Sequence, residues 1–388
     1  MFRSRSSLSA FFMLPFFSML LACASAPDSE NWKTVAPGTA PVGSPVALHG
    51  QLRVESLAGE DAAGNPIQVA QLVDTNGVPV QLKGMSSMWL NWVAQPYAES
   101  KGALKFMRDN WKVSVIRAAM GVEDDGGYVS NPVKAKYQVE TMIHNAIDLG
   151  VYVLVDWHSH NAAKKDAQGA DLTALSAAFF TEMATKYGAY PNVIWETYNE
   201  PKGLEWVAIK PYHQAVVDAI RTVDPDNPIV LGTPNWSQRV DVAAADPVVG
   251  TNLLYTLHFY SCSHGQFLRD FGDKAIALGA ALFVTEFGAT FADGGVASNH
   301  DYVCEDETNL WFAWMAKYNI GGAAWKLDSC GDTSCLLNSK AGVDGPWTDD
   351  KLSTNVGGAL FTGALQGGAT GAAIKGGHGL FVVNWLRR

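Results

Sequence analysis

Residues 193–201 read VIWETYNEP: the apolar run Val193, Ile194, Trp195 turns polar through Glu196 to Asn199 and Glu200, then stops at Pro201. A β-strand that ends in groups disfavouring burial must deliver them to a cleft or to partners. The run is one of eight. Similar β-type stretches occur at Val80–Met85, Val113–Ala118, Val151–Trp157, Val193–Thr197, Ile229–Thr233, Leu253–Phe259, Leu282–Phe287 and Gly322–Lys326. Helix-compatible stretches separate them. Lys134–Leu149 carries an apolar stripe through Met142, Ile143, Ala146 and Ile147, and Pro211–Val223 carries one through Val216, Ala219 and Ile220. Continuously apolar strands alternating with helices predict a parallel sheet buried on both faces, and eight such units predict an α/β fold of the (β/α)₈ TIM barrel type. Two earlier strands, Gln51–Ser56 and Ile67–Val73, precede the Asn76-Gly77 turn and predict a short N-terminal β-hairpin.

The mouth of such a barrel lies at the C-terminal ends of its strands. Polar strand ends recur there at Arg117, Asp156-Trp157-His158, Asn199-Glu200, His258 and Tyr260, Glu286 and Trp325. One such ending often only solvates a loop; several on one rim point to chemistry. Asp156 is read as holding Arg117 or a loop backbone.

Composition restricts the partners. The 388 residues are 48% hydrophobic and 17% charged, with 13 Trp and 12 Tyr, a compact aromatic-rich chain. A net charge of −10 disfavours nucleic acid and anionic membrane surfaces, leaving a neutral partner. The start, MFRSRSSLSAFFMLPFFSMLLACASAP, places arginines before an apolar run too short to span a bilayer. Residues 1–22 read as an export signal and Cys23 as a lipidated cysteine, because it follows the apolar run directly. Ala24-Ser25-Ala26 offers an ordinary cleavage site as the alternative. Residues 23–47, rich in Ala, Pro, Ser and Gly, read as a flexible tether, 48–366 as the catalytic domain and 367–388 as a Gly-rich tail, either an extra strand or outside the ordered body. The expected setting is the bacterial cell surface or periplasm, with the membrane reached only through the lipid; the secreted form is the alternative. A monomer is expected.

Removing Cys23 leaves Cys262, Cys304, Cys330 and Cys335, an even set that suits two disulfides in an oxidising compartment and permits three pairings. No C-x₂-C pair supports zinc. His158 and His160 form an H-x-H pair, but the other strand ends supply Glu, Asn, Tyr and Trp rather than further metal ligands, so no metal and no cofactor is expected.

VIRAAM, YVLVDWH, YPNVIWETYNEP, YTLHFYSCSHGQ, FVTEFG and AWKLD, in this order along the chain, resemble the strand-end motifs of glycoside hydrolase family 5, and most of all its bacterial endo-β-1,4-glucanases; the similarity runs from about Val78 to Leu365. The resemblance implies that Glu200, ending the fourth barrel strand, is the general acid/base and Glu286, ending the seventh, the nucleophile. Arg117, His158, Asn199, His258, Tyr260 and Trp325 complete the sugar site it implies. Hydrolysis with retention independently requires two carboxyls about 5–5.5 Å apart. Arg117 and Tyr260 are the candidates to keep Glu286 ionised, while nearness to Glu286 is expected to raise the pKa of Glu200. Asn199 is expected to donate to the sugar 2-hydroxyl, His258 to orient the acid/base, and His158 to contact the sugar. Trp325 offers a flat face to it. Trp92 and Trp236, following the first and fifth strands, are read as sugar platforms, and Trp89 as core. Three positions depart from the family pattern: Met88-Trp89 where His-Gly is common, Gly121 where Tyr is common, and Lys326 where Ser is common.

The cysteines follow the sixth, seventh and eighth strands, on the catalytic rim. The short GDTS gap favours a local Cys330–Cys335 bridge, leaving Cys262 with Cys304. The expected partner is a β-glucan polysaccharide or oligosaccharide. Rival readings are a family activity on mannan, xylan or mixed-linkage glucan, and a glycan-binding lipoprotein without activity, which would not need paired glutamates.

Overall fold

The computed structural model describes residues 36–93, 95–123, 125–164, 171–297 and 299–388. The export signal, Cys23 and the first part of the tether lie outside the described residues. The hairpin comes first: β1 (Arg53–Glu60) and β2 (Pro66–Val73) pair antiparallel in unbroken register from Arg53 opposite Val73 to Glu60 opposite Pro66.

Eight parallel barrel positions follow: β3 (Lys83–Ser87), β4 (Val115–Gly121), β5 (Tyr152–His158), β6 (Val193–Glu196), β7 (Ile229–Leu231), β8 (Leu253–Thr256), extended by β9 (Phe259–Tyr260), β10 (Leu282–Gly288) and, after the short β11 (Tyr302–Val303), β12 (Gly322–Leu327). Each pairs with its neighbour, and β12 closes the ring by pairing with both β10 and β3. The predicted (β/α)₈ barrel with an N-terminal hairpin is the observed fold. The predicted run Leu253–Phe259 divides into β8 and β9, both paired to β10.

Strand alternation sorts the side chains. Val193 and Trp195 pack outward with the helices, whereas Ile194 joins Leu154, Val230, Leu254 and Phe283 inside the lower barrel. Leu52, Ala70 and Leu72 of the hairpin region close that end. The helices on the outside follow their local signals. Asn131 accepts from the Lys134 amide and Pro132 occupies the first turn of Pro132–Leu149, which ends at left-handed Gly150 (φ 66°). The helix predicted from Pro211 begins earlier, at Trp206, and Pro211 sits inside it. Propensity placed that proline at the helix start; packing of Trp206 and Ile209 in the core extends the helix ahead of it.

Both expected domain edges fall inside the folded body. Residues Pro45–His49 form a helix capped by Ser44, and Val46 is buried against the closed end of the barrel, so the ordered chain starts before residue 48. The tail supplies β14 (Ile374–Gly376), which joins β11 and the preceding β13 (Asn355–Leu360) in a three-stranded antiparallel sheet. It then forms the helix Gly379–Leu386, whose Val382, Val383, Trp385 and Leu386 are buried. Among the described residues no helix is long and apolar enough to cross a membrane.

Candidate active site

The strand of the opening motif directs two glutamates to different depths. Glu196 points into the barrel and is fully buried, where Arg117 grips it with Nε to Oε2 at 2.7 Å and Nη2 to Oε1 at 3.1 Å. Arg117, itself fully buried, also reaches Glu286 (Nη1 to Oε2, 3.0 Å), Asp156 (2.9 Å) and the Asn199 amide oxygen (2.7 Å). One cation thus faces three carboxyl groups. The charge is relieved at Asp156: burial, with Glu286 and Glu200 nearby, pushes its carboxyl up to about 7 against the pull of Arg117. Asp156 bonds the His158 Nδ1 at 2.5 Å, and burial, helped by Arg117, holds His158 well below the usual imidazole range. His158 is therefore neutral. Glu196 carries no functional signal in the sequence beyond its position two residues along from inward-facing Ile194.

Glu286 is held by two donors, Arg117 and the Tyr260 hydroxyl, which donates to Oε1 at 2.6 Å. Simple alternation would turn Glu286 away from its neighbour Thr285. The register of β10 against β12 shifts between Val284 and Phe287, and this irregularity lets Thr285 and Glu286 serve the same centre.

Glu200 lies between two imidazoles, with His258 Nδ1 2.9 Å from Oε1 and His160 Nε2 3.3 Å from Oε2. Burial opposes its ionisation, but the bonds from His160 and His258 outweigh burial and hold the carboxyl below the ordinary range. This corrects the expectation that Glu286 raises it. His160, read from sequence only as half of a metal pair, is pushed up by Glu200 against its own burial. The backbone explains its arrival: the Glu200 amide donates to the Ser159 carbonyl (3.2 Å), and the Glu123 carboxylate collects the Ser159 hydroxyl and the His160 and Asn161 amides.

Glu200, His258 and Glu286 present ligand atoms within 4.8 Å of one another, a spacing open to a metal ion. Both Glu286 oxygens are already engaged by donors, which suits a carboxylate awaiting an electrophilic carbon better than a metal ligand. These residues line a cavity of about 350 Å³ together with Trp236, Gln238, Tyr260, His264 and Ala292. A larger cavity, about 550 Å³, opens at the closed end of the barrel beside Lys83 and Ser114, away from the paired glutamates.

The remaining candidates divide by depth. Asn199 is fixed by Arg117 through its oxygen, which leaves its amino group as the free donor. Trp325 is buried, parallel to His158 at 5.5 Å. Trp92 and Trp236 keep 48% and 39% of their surface exposed, whereas Trp89 is buried. Trp236 sits in a turn where Asn235, Trp236 and Ser237 all have φ near +57°, a conformation costing about 1–2 kcal/mol per residue. Bonds from Ser237 to the Asn199 carbonyl (2.6 Å) and from the His258 amide to Ser237 (2.8 Å) hold it there.

Two departures from the family pattern prove to be coupled. A Cβ on Gly121 would lie 2.0 Å from Asn91 Oδ1 and 2.9 Å from the Trp89 ring, so Trp89 and Asn91 fill the space a larger residue would need. Trp89 meets His158 edge-on at 4.3 Å and stacks on Trp92 at 4.7 Å. The third departure, Lys326, pairs with Asp332 at 2.8 Å. The bridges Cys262–Cys304 and Cys330–Cys335 are formed, with Cα separations of 5.3 and 5.7 Å. Cys262 follows β9 and Cys304 follows β11, past the C-terminal ends of the barrel strands as expected, and both are fully buried there with Phe291 and Ala373, under cover supplied by the tail.

The profile of cellulase (glycosyl hydrolase family 5) matches residues 73–331. The chain belongs to glycosyl hydrolase family 5. It is 42% identical over 307 residues to an endoglucanase of Clostridium saccharobutylicum, covering 77% of this chain and 64% of that one. Endoglucanase Z of Dickeya dadantii is 38% identical, covering 82% and 65%. The chain spans just under two thirds of the length of these relatives. Among solved structures, a Cytophaga hutchinsonii protein superposes with a TM-score of 0.73 at 36% identity, covering 89% of this chain and 96% of that one. The catalytic domain of a Thermobifida fusca endoglucanase, in complex with cellotetraose, gives 0.72 at 26% identity, covering 89% and 100%.

Proposed function

We propose that this family 5 chain is a retaining endo-β-1,4-glucanase that cleaves internal bonds of cellulose or related β-glucans by double displacement. One observation carries the reading: oxygens of Glu200 and Glu286, both lining one cavity, approach within 4.8 Å, the short separation of a nucleophile and an acid/base rather than of two groups flanking a water. Glu286, oriented by Arg117 and Tyr260, attacks the anomeric carbon as Glu200 protonates the departing oxygen. Glu200 then takes a proton from water as that water displaces Glu286. The free amino group of Asn199 meets the 2-hydroxyl, a bond that strengthens in the transition state.

Endo action is supported by the exposed rings of Trp92 and Trp236, which follow β3 and β7, strands opposite each other in the ring, and so flank the cleft on both sides. The relatives named endoglucanase support the same substrate class. Export as a lipoprotein through Cys23 is part of the proposal, supported by the apolar leader ending in Leu20-Leu21-Ala22-Cys23. Incubation of the purified protein with carboxymethylcellulose, mixed-linkage glucan, xylan and mannan, with reducing ends, viscosity and the anomer first released recorded, tests the reading. Rapid viscosity loss on β-1,4-glucan with a β-anomer is expected. Exclusive action on mannan or xylan, or an α-anomer, would overturn it.

A further inference from the structure

We infer that Thr285 is a positioning residue whose hydroxyl, directed by Glu196, decides which nitrogen of His258 carries hydrogen and so places a transferable proton in the His258–Glu200 contact. The inference rests on Glu200 acting as the acid/base. Its starting point is the direction of each bond. Glu196 accepts Arg117 on both oxygens and so stands as a carboxylate able only to accept. The Thr285 hydroxyl, 2.7 Å from Glu196 Oε1, must spend its single hydrogen there. Its oxygen then accepts from its other two neighbours: the Thr256 hydroxyl at 2.6 Å and His258 Nε2 at 2.8 Å. His258 Nε2 must therefore bear hydrogen.

The consequence appears at the other ring nitrogen. With Nε2–H fixed, a neutral His258 presents a bare Nδ1 to Glu200 Oε1 at 2.9 Å, where two facing lone pairs repel and the resting protein does not keep them. One further proton must sit between them, on Glu200 or on Nδ1. The unproductive alternative, a neutral ring donating from Nδ1 to an ionised Glu200, would point a bare Nε2 at an oxygen whose hydrogen is already committed. When the C1–O bond breaks, its electron pair passes to the leaving oxygen, which takes this proton from Glu200. Glu200, now a carboxylate facing the bare Nδ1, is a stronger base for the proton of the water that next attacks C1 and releases Glu286.

The charged and titratable groups around His258 are Glu200 and Glu196 from the strand of the opening motif, Asp156 from β5, Glu286 from β10 and His264 beyond β9. Arg117 reaches the group through Glu196, and His160 holds the second oxygen of Glu200. Among the described residues, Thr285 alone bonds Nε2.

Nitrogen-15 NMR of the histidine-labelled protein reads the tautomer without turnover. His258 is expected to be protonated at Nε2 in the native protein; a neutral ring bare at Nε2 overturns the inference. Thr285→Val keeps the shape and removes the hydroxyl, and is expected to move the hydrogen of a neutral His258 to Nδ1. Its kcat/KM on cellotetraose should fall about 100-fold through kcat, with far less loss on a dinitrophenyl cellobioside whose leaving group needs no proton. The alkaline limb of its pH profile should move to lower pH, and Thr285→Ser should restore most of the loss. Equal losses on both substrates, or no recovery in a folded Thr285→Ser, also overturn it. A native protein with Nε2–H and no action on any β-glucan would sink the proposed function alone.

Discussion

The barrel mouth and the C-terminal helix that ends the tail both bury side chains, yet different forces hold them. In the mouth, Arg117, Asp156, Glu196, Asn199, Thr285, His258 and the two glutamates form one chain of directed bonds, in which each donor has a specified acceptor. In the tail, Trp385 stacks on Phe312 at 4.5 Å and meets Phe287 edge-on at 5.3 Å, with Val382 and Val383 packed beside them. Apolar contact is additive and tolerant of small shifts; a buried polar network is sensitive to the loss of one hydrogen. The difference teaches that chemistry and support are separable here. The mouth should fail in activity first, and the tail in stability first.

The strongest test of that separation is Glu286→Ala. Activity should fall on the order of 10⁴-fold or more with little change in melting temperature. Azide should return part of it as an α-glycosyl azide, and a β-configured product would remove Glu286 from the nucleophile role. Arg117→Met should damage both properties, because it strands Glu196 and Glu286 without a cation. A loss of about 3–5 kcal/mol in urea unfolding is expected together with loss of turnover. A stable, active Arg117→Met variant would show that the network is not organised by its cation.

In the tail, Trp385→Ala should cost about 3–5 kcal/mol while kcat/KM stays within about threefold, measured by denaturant unfolding and cello-oligosaccharide kinetics. A loss of activity equal to that of the mouth variants would erase the distinction. The two regions should also answer pH with opposite sign. Burial holds His378 at about 4, where Nδ1 accepts the Ala289 amide and Nε2 donates to the Ser334 carbonyl. As pH falls from about 6.5 to 4 the unfolded chain gains a proton there and the folded protein does not, so stability is lost, on the order of 3 kcal/mol. Asp156 does the reverse. Raised to about 7, it is protonated in the folded state and ionised in the unfolded state as pH rises from about 4, so its contribution is lost towards neutral pH. His378→Gln should flatten the acidic decline of stability, and Asp156→Asn the decline on the neutral side. Parallel pH curves for both variants would refute the assignment.

The smallest effect concerns the bridges. Cys330 is exposed and Cys262–Cys304 is buried beneath the tail, so mild reductant should open Cys330–Cys335 first. That step should weaken substrate affinity a few-fold and cost about 2 kcal/mol, whereas opening the buried bridge should require partial unfolding. Thiol alkylation with peptide mapping over time would show the order, and simultaneous labelling of all four cysteines would contradict it.

Much of this was written in the chain itself. Eight apolar runs fixed the barrel because a parallel strand covered on both faces must be apolar throughout, and the polar residues ending those runs could lie only at the mouth. Glu200 and Glu286, Arg117, His258 and Tyr260 were legible for that reason. The tertiary structure decided the rest. Glu196 looked like one more strand residue until Arg117, on β4 and two strands away across the barrel interior, gave it a partner. His160 became a partner of Glu200 only when the Ser159 carbonyl met the Glu200 amide across two strands. The shift in β10 register turned Thr285 and Glu286 to one centre against simple alternation. The tail has weak local pattern and became structure by packing on Phe287 and Phe312. Periodicity reports which face of an element is buried; it says nothing of what that face meets, and hydrogen-bond direction and proton placement depend on the atoms met there.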